Sequence, residues 1–190
     1  MVSGLRGSQN RSGGVVVAES PGSEREVIAE QTDEPVIEGT ECAGLRLEAH
    51  GLPDERTARH ARAAVREVLR NVGADEGDVD DAELAVGELA ANAVSYAGGP
   101  YEIRFVIVTG RPAWCEVVDG DAGLFGIPEI FEKLRRTETS DCVPDEVPQE
   151  SGHGLAIVHR ISGGRCKAYP TVVSSTGRPG KAVAFALPGS

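Results

Sequence analysis

The chain has 190 residues, a formal net charge of -11, 40% hydrophobic residues and only 4% aromatic residues. This acidic balance argues against nucleic acid or an anionic membrane surface as a partner. The four cysteines are widely spaced without a C-x-x-C pair, which argues against a zinc site or a disulfide framework. Because the sequence contains neither a membrane-length apolar run nor a basic-then-apolar N-terminal segment, we expect a soluble cytoplasmic protein.

The composition divides the chain into a tail and one folded domain. Residues 1–43 are rich in Gly, Ser and acidic residues and have one short apolar run, a composition typical of disorder. We therefore expect a disordered acidic tail, which is either a plain solvated segment or a regulatory one. The folded domain is predicted to cover residues 44–188.

The domain is predicted to open with a strand and a helix. Residues 45–49 alternate as a half-buried strand does, and the segment 53–72 has apolar residues at helical spacing with four arginines on the other side. Gly73 ends this helix. His60 lies within it, and we interpret it as a surface histidine because it lacks the acidic neighbour and downstream proline of a phosphoacceptor helix.

The segment 80–97 predicts an amphipathic helix with acidic first turns. Glu88 and Asn92 are four residues apart, so they lie one above the other on one side, and Asp81 and Ser95 continue that stripe. A carboxylate and a carboxamide one turn apart are able to hold a hydrated cation and accept a proton. The alternative is an ordinary solvated helix face. Apolar surface on this helix comes from Leu84, Leu89, Ala93 and Val94.

Two strands follow, 101–108 and 113–118, and their short connection predicts antiparallel pairing. The second strand runs into Asp119, with Gly123 four residues later. A carboxylate at a sheet edge can accept a hydrogen bond from an exocyclic amine, and a nearby glycine lets backbone approach a ligand. The alternative interpretation is an ordinary Asp-Gly turn.

Residues 124–151 are predicted to form a mobile lid, with a short helix after Pro128 and then a polar, acidic stretch. A helix with Gly152 and Gly154 at its start follows, and such a terminus exposes N–H groups suited to polyphosphate. The remaining segments predicted as strands are 165–168, 172–174 and 181–187.

This order of motifs resembles the GHKL ATP-binding superfamily, which includes DNA gyrase, heat-shock chaperones and histidine kinases. The stretches GELAANAVSYAGG and GHGLAIVHRIS look most like bacterial anti-sigma-factor serine/threonine kinases. The resemblance covers residues 45–187. It implies an α+β fold, a two-layer sandwich of a mixed, mainly antiparallel sheet with helices on one face, and an ATP lid at 124–151.

The resemblance also implies roles for individual residues. Glu88 matches the general base that takes the proton from an attacking hydroxyl, and Asn92 matches the asparagine that holds Mg²⁺ against the phosphates of ATP. Asp119 matches the adenine-reading aspartate and Gly123 the glycine beside the base. The phosphate loop corresponds to Gly152, His153, Gly154 and Leu155.

Three positions depart from the family pattern. Asp121 stands where a glycine is usual, so the loop near the adenine is expected to be tighter or differently shaped. Ala182 lies about where a threonine that supports adenine binding is expected, and His153 occupies a position that is often basic. These departures bear on nucleotide affinity more than on the fold.

Two functions remain open at this point. One is a Mg-ATP-dependent serine/threonine kinase that phosphorylates an antagonist protein and thereby controls a sigma factor. The other is a partner-sequestering module with a weak or silent nucleotide site. A detached histidine-kinase catalytic domain is disfavoured by the missing phosphoacceptor motif. A homodimer is a further hypothesis taken from the resemblance.

Overall fold

A computed structural model describes residues 44–138 and 153–189 of the chain. The predicted tail 1–43, the polar part of the predicted lid beyond Glu138, and Gly152 lie outside these residues. In the described ranges no helix combines the length and apolar character needed to cross a membrane.

Nine elements make up the described part of the chain. The strands are β1 (Leu45–Leu52), β2 (Tyr101–Val108), β3 (Arg111–Asp119), β4 (Cys166–Val172) and β5 (Pro179–Ala186). The helices are α1 (Thr57–Asn71), α2 (Glu76–Tyr96), α3 (Ile127–Glu138) and α4 (His153–Ile161).

The five strands form one sheet in the order β1-β2-β3-β5-β4, with every described pair antiparallel. Side chains alternate between the faces of a strand, so Ile103 and Phe105 lie on one face of β2 and Arg104 lies on the other. The main hydrophobic core joins one face of the sheet to the buried sides of the helices. This arrangement confirms the predicted α+β sandwich with helices on one face.

Helix α2 lies at the centre of the helical layer, between α1 and α4. It begins at Glu76, earlier than predicted, because the Asp75 side chain caps it by accepting the N–H of Asp78 at 3.0 Å. Leu89 and Ala93 are buried as the apolar pattern predicts, but Leu84 and Val94 are each 45% exposed. Small buried residues let α1 and α4 pack closely on α2, and the two larger side chains point to solvent.

The C-terminal strands also differ from prediction. Residues 166–172 form one continuous strand in place of two short segments, even though the strand contains Pro170. Strand β4 is at the edge of the sheet, where a proline without an N–H removes no ladder bond on the open side.

The face of the sheet that lies opposite the helices holds a buried polar cluster. The Glu102 carboxylate is 2% exposed and accepts the N–H groups of Ser174 at 3.0 Å and Ser175 at 2.8 Å. The Arg104 guanidinium donates to the same carboxylate at 2.9 Å and also to the Val172 carbonyl. Burial alone would raise the pKa of Glu102, but these N–H donors and Arg104 outweigh it and lower the pKa.

Replacing Glu102 with glutamine should therefore make the free energy of unfolding less dependent on pH in the acid range. A carboxyl whose pKa is lower in the folded state stabilises the protein above its unfolded pKa, and that stabilisation is lost as the pH falls through the folded pKa. We expect urea unfolding between pH 7 and pH 3 to show a smaller loss of stability for Glu102→Gln than for the wild type. Equal slopes would show that Glu102 does not contribute.

Candidate functional site

One cavity of about 340 Å³ lies between α2, α3, α4 and the ends of β3 and β5. Its wall is mostly apolar, and four polar side chains face it: Asn92, Tyr96, Asp119 and Lys181. The apolar lining residues are Leu89, Ala93, Val117, Phe125, Ile127, Ile130, Leu155 and Val183. An apolar cleft of this size with a few polar groups is typical of a small-molecule site.

At one end of the cavity Asp119 is the last residue of β3 and is 2% exposed. The opposite residue in the sheet register is Lys181 of β5, whose Nζ donates to Asp119 Oδ1 at 2.8 Å. Burial raises the pKa of Asp119 even though the Lys181 ammonium opposes that effect. The buried pair therefore puts an anionic acceptor and a cationic donor side by side on the cavity wall.

The loop after β3 is held by its own side chains. Asp119 Oδ1 accepts the N–H of Asp121 at 3.0 Å, and Asp121 Oδ1 accepts the N–H of Gly123 at 2.9 Å. Asp121 has no positive φ, so this position does not need the freedom of the expected glycine. An aspartate stands there without backbone strain and fixes the loop through its carboxylate.

Phe125 lines this end of the cavity, and its ring lies against Gly123. A Cβ on Gly123 would lie 2.7 Å from the Phe125 ring, so only glycine lets that ring seat against the loop. The Lys181 ammonium lies 5.4 Å from the centroid of the same ring. Phe125 is 68% exposed, which leaves its outer side open to the solvent.

The start of α4 packs against the side of α2 that carries Glu88 and Asn92. A Cβ on Gly154 would lie 2.8 Å from Glu88 Oε2 and 3.3 Å from Asn92 Nδ2. The structure therefore places Gly154 directly beside Glu88 and Asn92, although 62 or more residues separate them in sequence. A Cβ at this position would collide with the Glu88 carboxylate as it stands, so glycine lets α4 begin this close to both side chains.

The other predicted site residues are placed as follows. Leu155 is 6% exposed and lines the cavity. His153 begins α4 and is exposed, and it is not part of the cavity wall. Asp81 and Ser95, which were expected to continue the stripe of Glu88, are exposed. Gly152 lies outside the described residues.

Two polar side chains of the cavity wall, Tyr96 and Lys181, were not predicted from the sequence. Ala182, where a supporting threonine was expected, packs with Val118 and Val173 in a second apolar cluster instead of lining the cavity. The reason is the alternation of side chains in β5, which directs residues 181 and 183 to the cavity side. A sequence signal existed, because Lys181 is the one lysine in an otherwise apolar closing strand.

The site has few groups of its own for a metal ion. Within the described ranges no cluster of three or more His, Cys, Asp or Glu side chains could hold one. Mg²⁺ commonly binds through one or two protein oxygens together with substrate phosphates, and the Asn92 carboxamide beside the cavity suits that mode.

Comparison with protein families identifies the domain. A family model described as histidine kinase-like ATPase domain matches residues 52–163, which is more than half of the chain. The matched range contains Glu88, Asn92, Asp119 and Gly154. No curated protein matched the chain in a sequence comparison.

Proposed function

The chain belongs to the histidine kinase-like ATPase family, and from this premise we propose that it is an anti-sigma-factor serine/threonine kinase. It would transfer the γ-phosphoryl group of ATP to a serine or threonine of an antagonist protein and so control the availability of a sigma factor. Family membership itself implies an ATP-binding domain with ATP-using phosphotransfer chemistry. The protein substrate and the sigma factor belong to the proposal.

The observation that carries the proposal is the contact of Gly154 with Glu88 and Asn92. It brings a carboxylate, a carboxamide and a helix N-terminus to one place, next to a cavity that would take the nucleoside. Phosphoryl transfer depends mainly on positioning and on electrostatic stabilisation, which such a group of residues supplies.

Each residue has a distinct task in the proposed mechanism. Asp119 accepts a hydrogen bond from the amino group of adenine, and the apolar wall around Leu89 and Leu155 encloses the base. The N-terminal N–H groups of α4 donate to phosphate oxygens. Asn92 would hold Mg²⁺, which supplies neutralisation of phosphate charge when bound. Glu88 takes the proton from the attacking hydroxyl of the substrate protein.

A partner-sequestering module with a weak nucleotide site is the second candidate. The observation that favours it is the ion pair at the base end of the cavity, because Asp119 Oδ1 already accepts from Lys181 and from the Asp121 N–H. A carboxylate that already accepts hydrogen bonds within the protein contributes less binding free energy to a ligand.

An assay of phosphate transfer distinguishes the kinase from the partner-sequestering module. The purified protein is incubated with Mg²⁺, ATP labelled at the γ-phosphate and a panel of candidate antagonist proteins, and labelled proteins are analysed for phosphoserine and phosphothreonine. If the protein is a serine/threonine kinase, we expect one of these partners to be labelled. Binding of an antagonist or sigma factor without label, in protein that binds ATP, would support the sequestering module instead.

A further inference from the structure

Lys181 is a buried charged residue that the proposed mechanism does not use. It is 4% exposed and lines the cavity beside Asp119. Burying an ammonium costs free energy, and a buried ion pair offsets that cost only with good geometry and further hydrogen bonds. A small or apolar residue at this position of β5 would avoid the cost, so the presence of a lysine calls for a reason.

The hydrogen bonds of the pair leave one acceptor and one donor for a ligand. Asp119 Oδ1 is used twice, by Lys181 and by the Asp121 N–H, whereas Oδ2 has no hydrogen-bond partner among the described residues. The ammonium has three N–H donors. Apart from Asp119, it reaches the Asp121 carbonyl at a long 3.5 Å and the face of the Phe125 ring.

We propose that Lys181 is a base-recognition residue, which donates a hydrogen bond to ring N1 of adenine while Asp119 accepts one from the 6-amino group. This inference rests on the proposed function, since it names how the same site selects its nucleotide. On the Watson–Crick edge of adenine the N1 acceptor and the 6-amino donor are adjacent. The N1 acceptor matches the Lys181 donor, and the 6-amino donor matches the Asp119 acceptor.

The same bonding pattern disfavours guanine. Guanine in the same orientation would place its O6 acceptor against the Asp119 carboxylate and its N1–H donor against the Lys181 ammonium. Polar groups that face their own kind in a buried site stay unpaired, and such a site rejects the ligand strongly. The pair is therefore matched to adenine.

The test is a calorimetric titration of the wild type with ATP, 1-deaza-ATP and 7-deaza-ATP. The 1-deaza analogue replaces N1 by C–H, while the 7-deaza analogue changes an atom away from the Watson–Crick edge and is the control ligand. We expect 1-deaza-ATP to bind about tenfold to a hundredfold more weakly than ATP, because a hydrogen bond to a charged donor is lost. The 7-deaza analogue should bind within about threefold of ATP, since it keeps both bonds.

Variants then assign the discrimination to Lys181. Lys181→Met should bind ATP and 1-deaza-ATP equally, whereas Lys167→Met, a change of an exposed lysine on β4, should keep the wild-type difference. If Lys181 were purely structural, its replacement would weaken the binding of ATP and of 1-deaza-ATP by the same factor. If Lys181→Met does not fold, the analogue series on the wild type decides alone.

The outcomes distinguish this inference from the proposed function. Equal affinity of the wild type for ATP and 1-deaza-ATP would overturn the role of Lys181 and leave ATP binding intact. Binding of GTP as tight as that of ATP would overturn the match to adenine. Failure of the folded wild type to bind any of these nucleotides would count against the proposed kinase itself, and the recognition role would fall with it.

Discussion

Replacing Glu88 with glutamine is expected to lower the rate of phosphate transfer to the protein substrate by about 10²–10⁴-fold, the usual contribution of a general base. The amide keeps the size of the side chain but cannot take the proton from the hydroxyl. Glu88 is not part of the cavity wall, so ATP affinity should change by less than about threefold. Single-turnover transfer and calorimetric ATP binding measure the two quantities separately.

The matched control for this variant is Glu83→Gln. Glu83 is on the same helix but forms an ion pair with Arg66 of α1. Removing this exposed ion pair should lower the stability slightly and leave the rate of phosphate transfer nearly unchanged. Wild-type transfer rates in Glu88→Gln would contradict the assignment of Glu88 as the base. Equal losses in both variants would point to a general effect of charge on α2.

Replacing Gly154 with alanine is expected to reduce phosphate transfer by about a hundredfold, the order of loss that follows from a 1 Å misplacement of a reacting group. The added Cβ would lie 2.8 Å from Glu88 Oε2, so the carboxylate must move away. The contact falls on the end of a flexible side chain, and alanine favours a helix more than glycine does. We therefore expect unchanged or higher thermal stability together with lost activity.

Gly51→Ala provides the control for the glycine substitution. Gly51 is in β1, has no positive φ, and a Cβ there would meet no atom within 4 Å. That variant should keep its activity. Full activity of Gly154→Ala would show that Glu88 need not occupy the position seen in the structure.

The sequence predicted the parts of the site that depend on local spacing. Glu88 and Asn92 are one helical turn apart, and Asp119 ends a strand, so their local placement follows from periodicity alone. Their common role in binding and using ATP is what the resemblance implies. The contact of Gly154 with both α2 residues depends on how α4 packs, and no local pattern predicts that packing.

Lys181 shows why the rest of the site was not predicted. Its position opposite Asp119 depends on the pairing of β3 with β5, and a shift of one residue would have presented Ala182 instead. The sequence pattern predicts the strand, and the family resemblance leads to a supporting residue at about Ala182. Strand register is set by long-range pairing, so it became visible only in the folded structure.

Binding of Mg-ATP in this cavity through Asp119 and Asn92 is the premise of the proposed function. Calorimetric titration of the purified protein with ATP, with and without Mg²⁺, tests it most directly, alongside the variants Asp119→Ala and Asn92→Ala. We expect Mg²⁺-dependent binding that weakens in both variants, by about tenfold or more where a charged hydrogen bond is lost. A well-folded wild-type protein that binds no nucleotide at millimolar ATP would contradict the account and leave the sequestering module as the function to pursue.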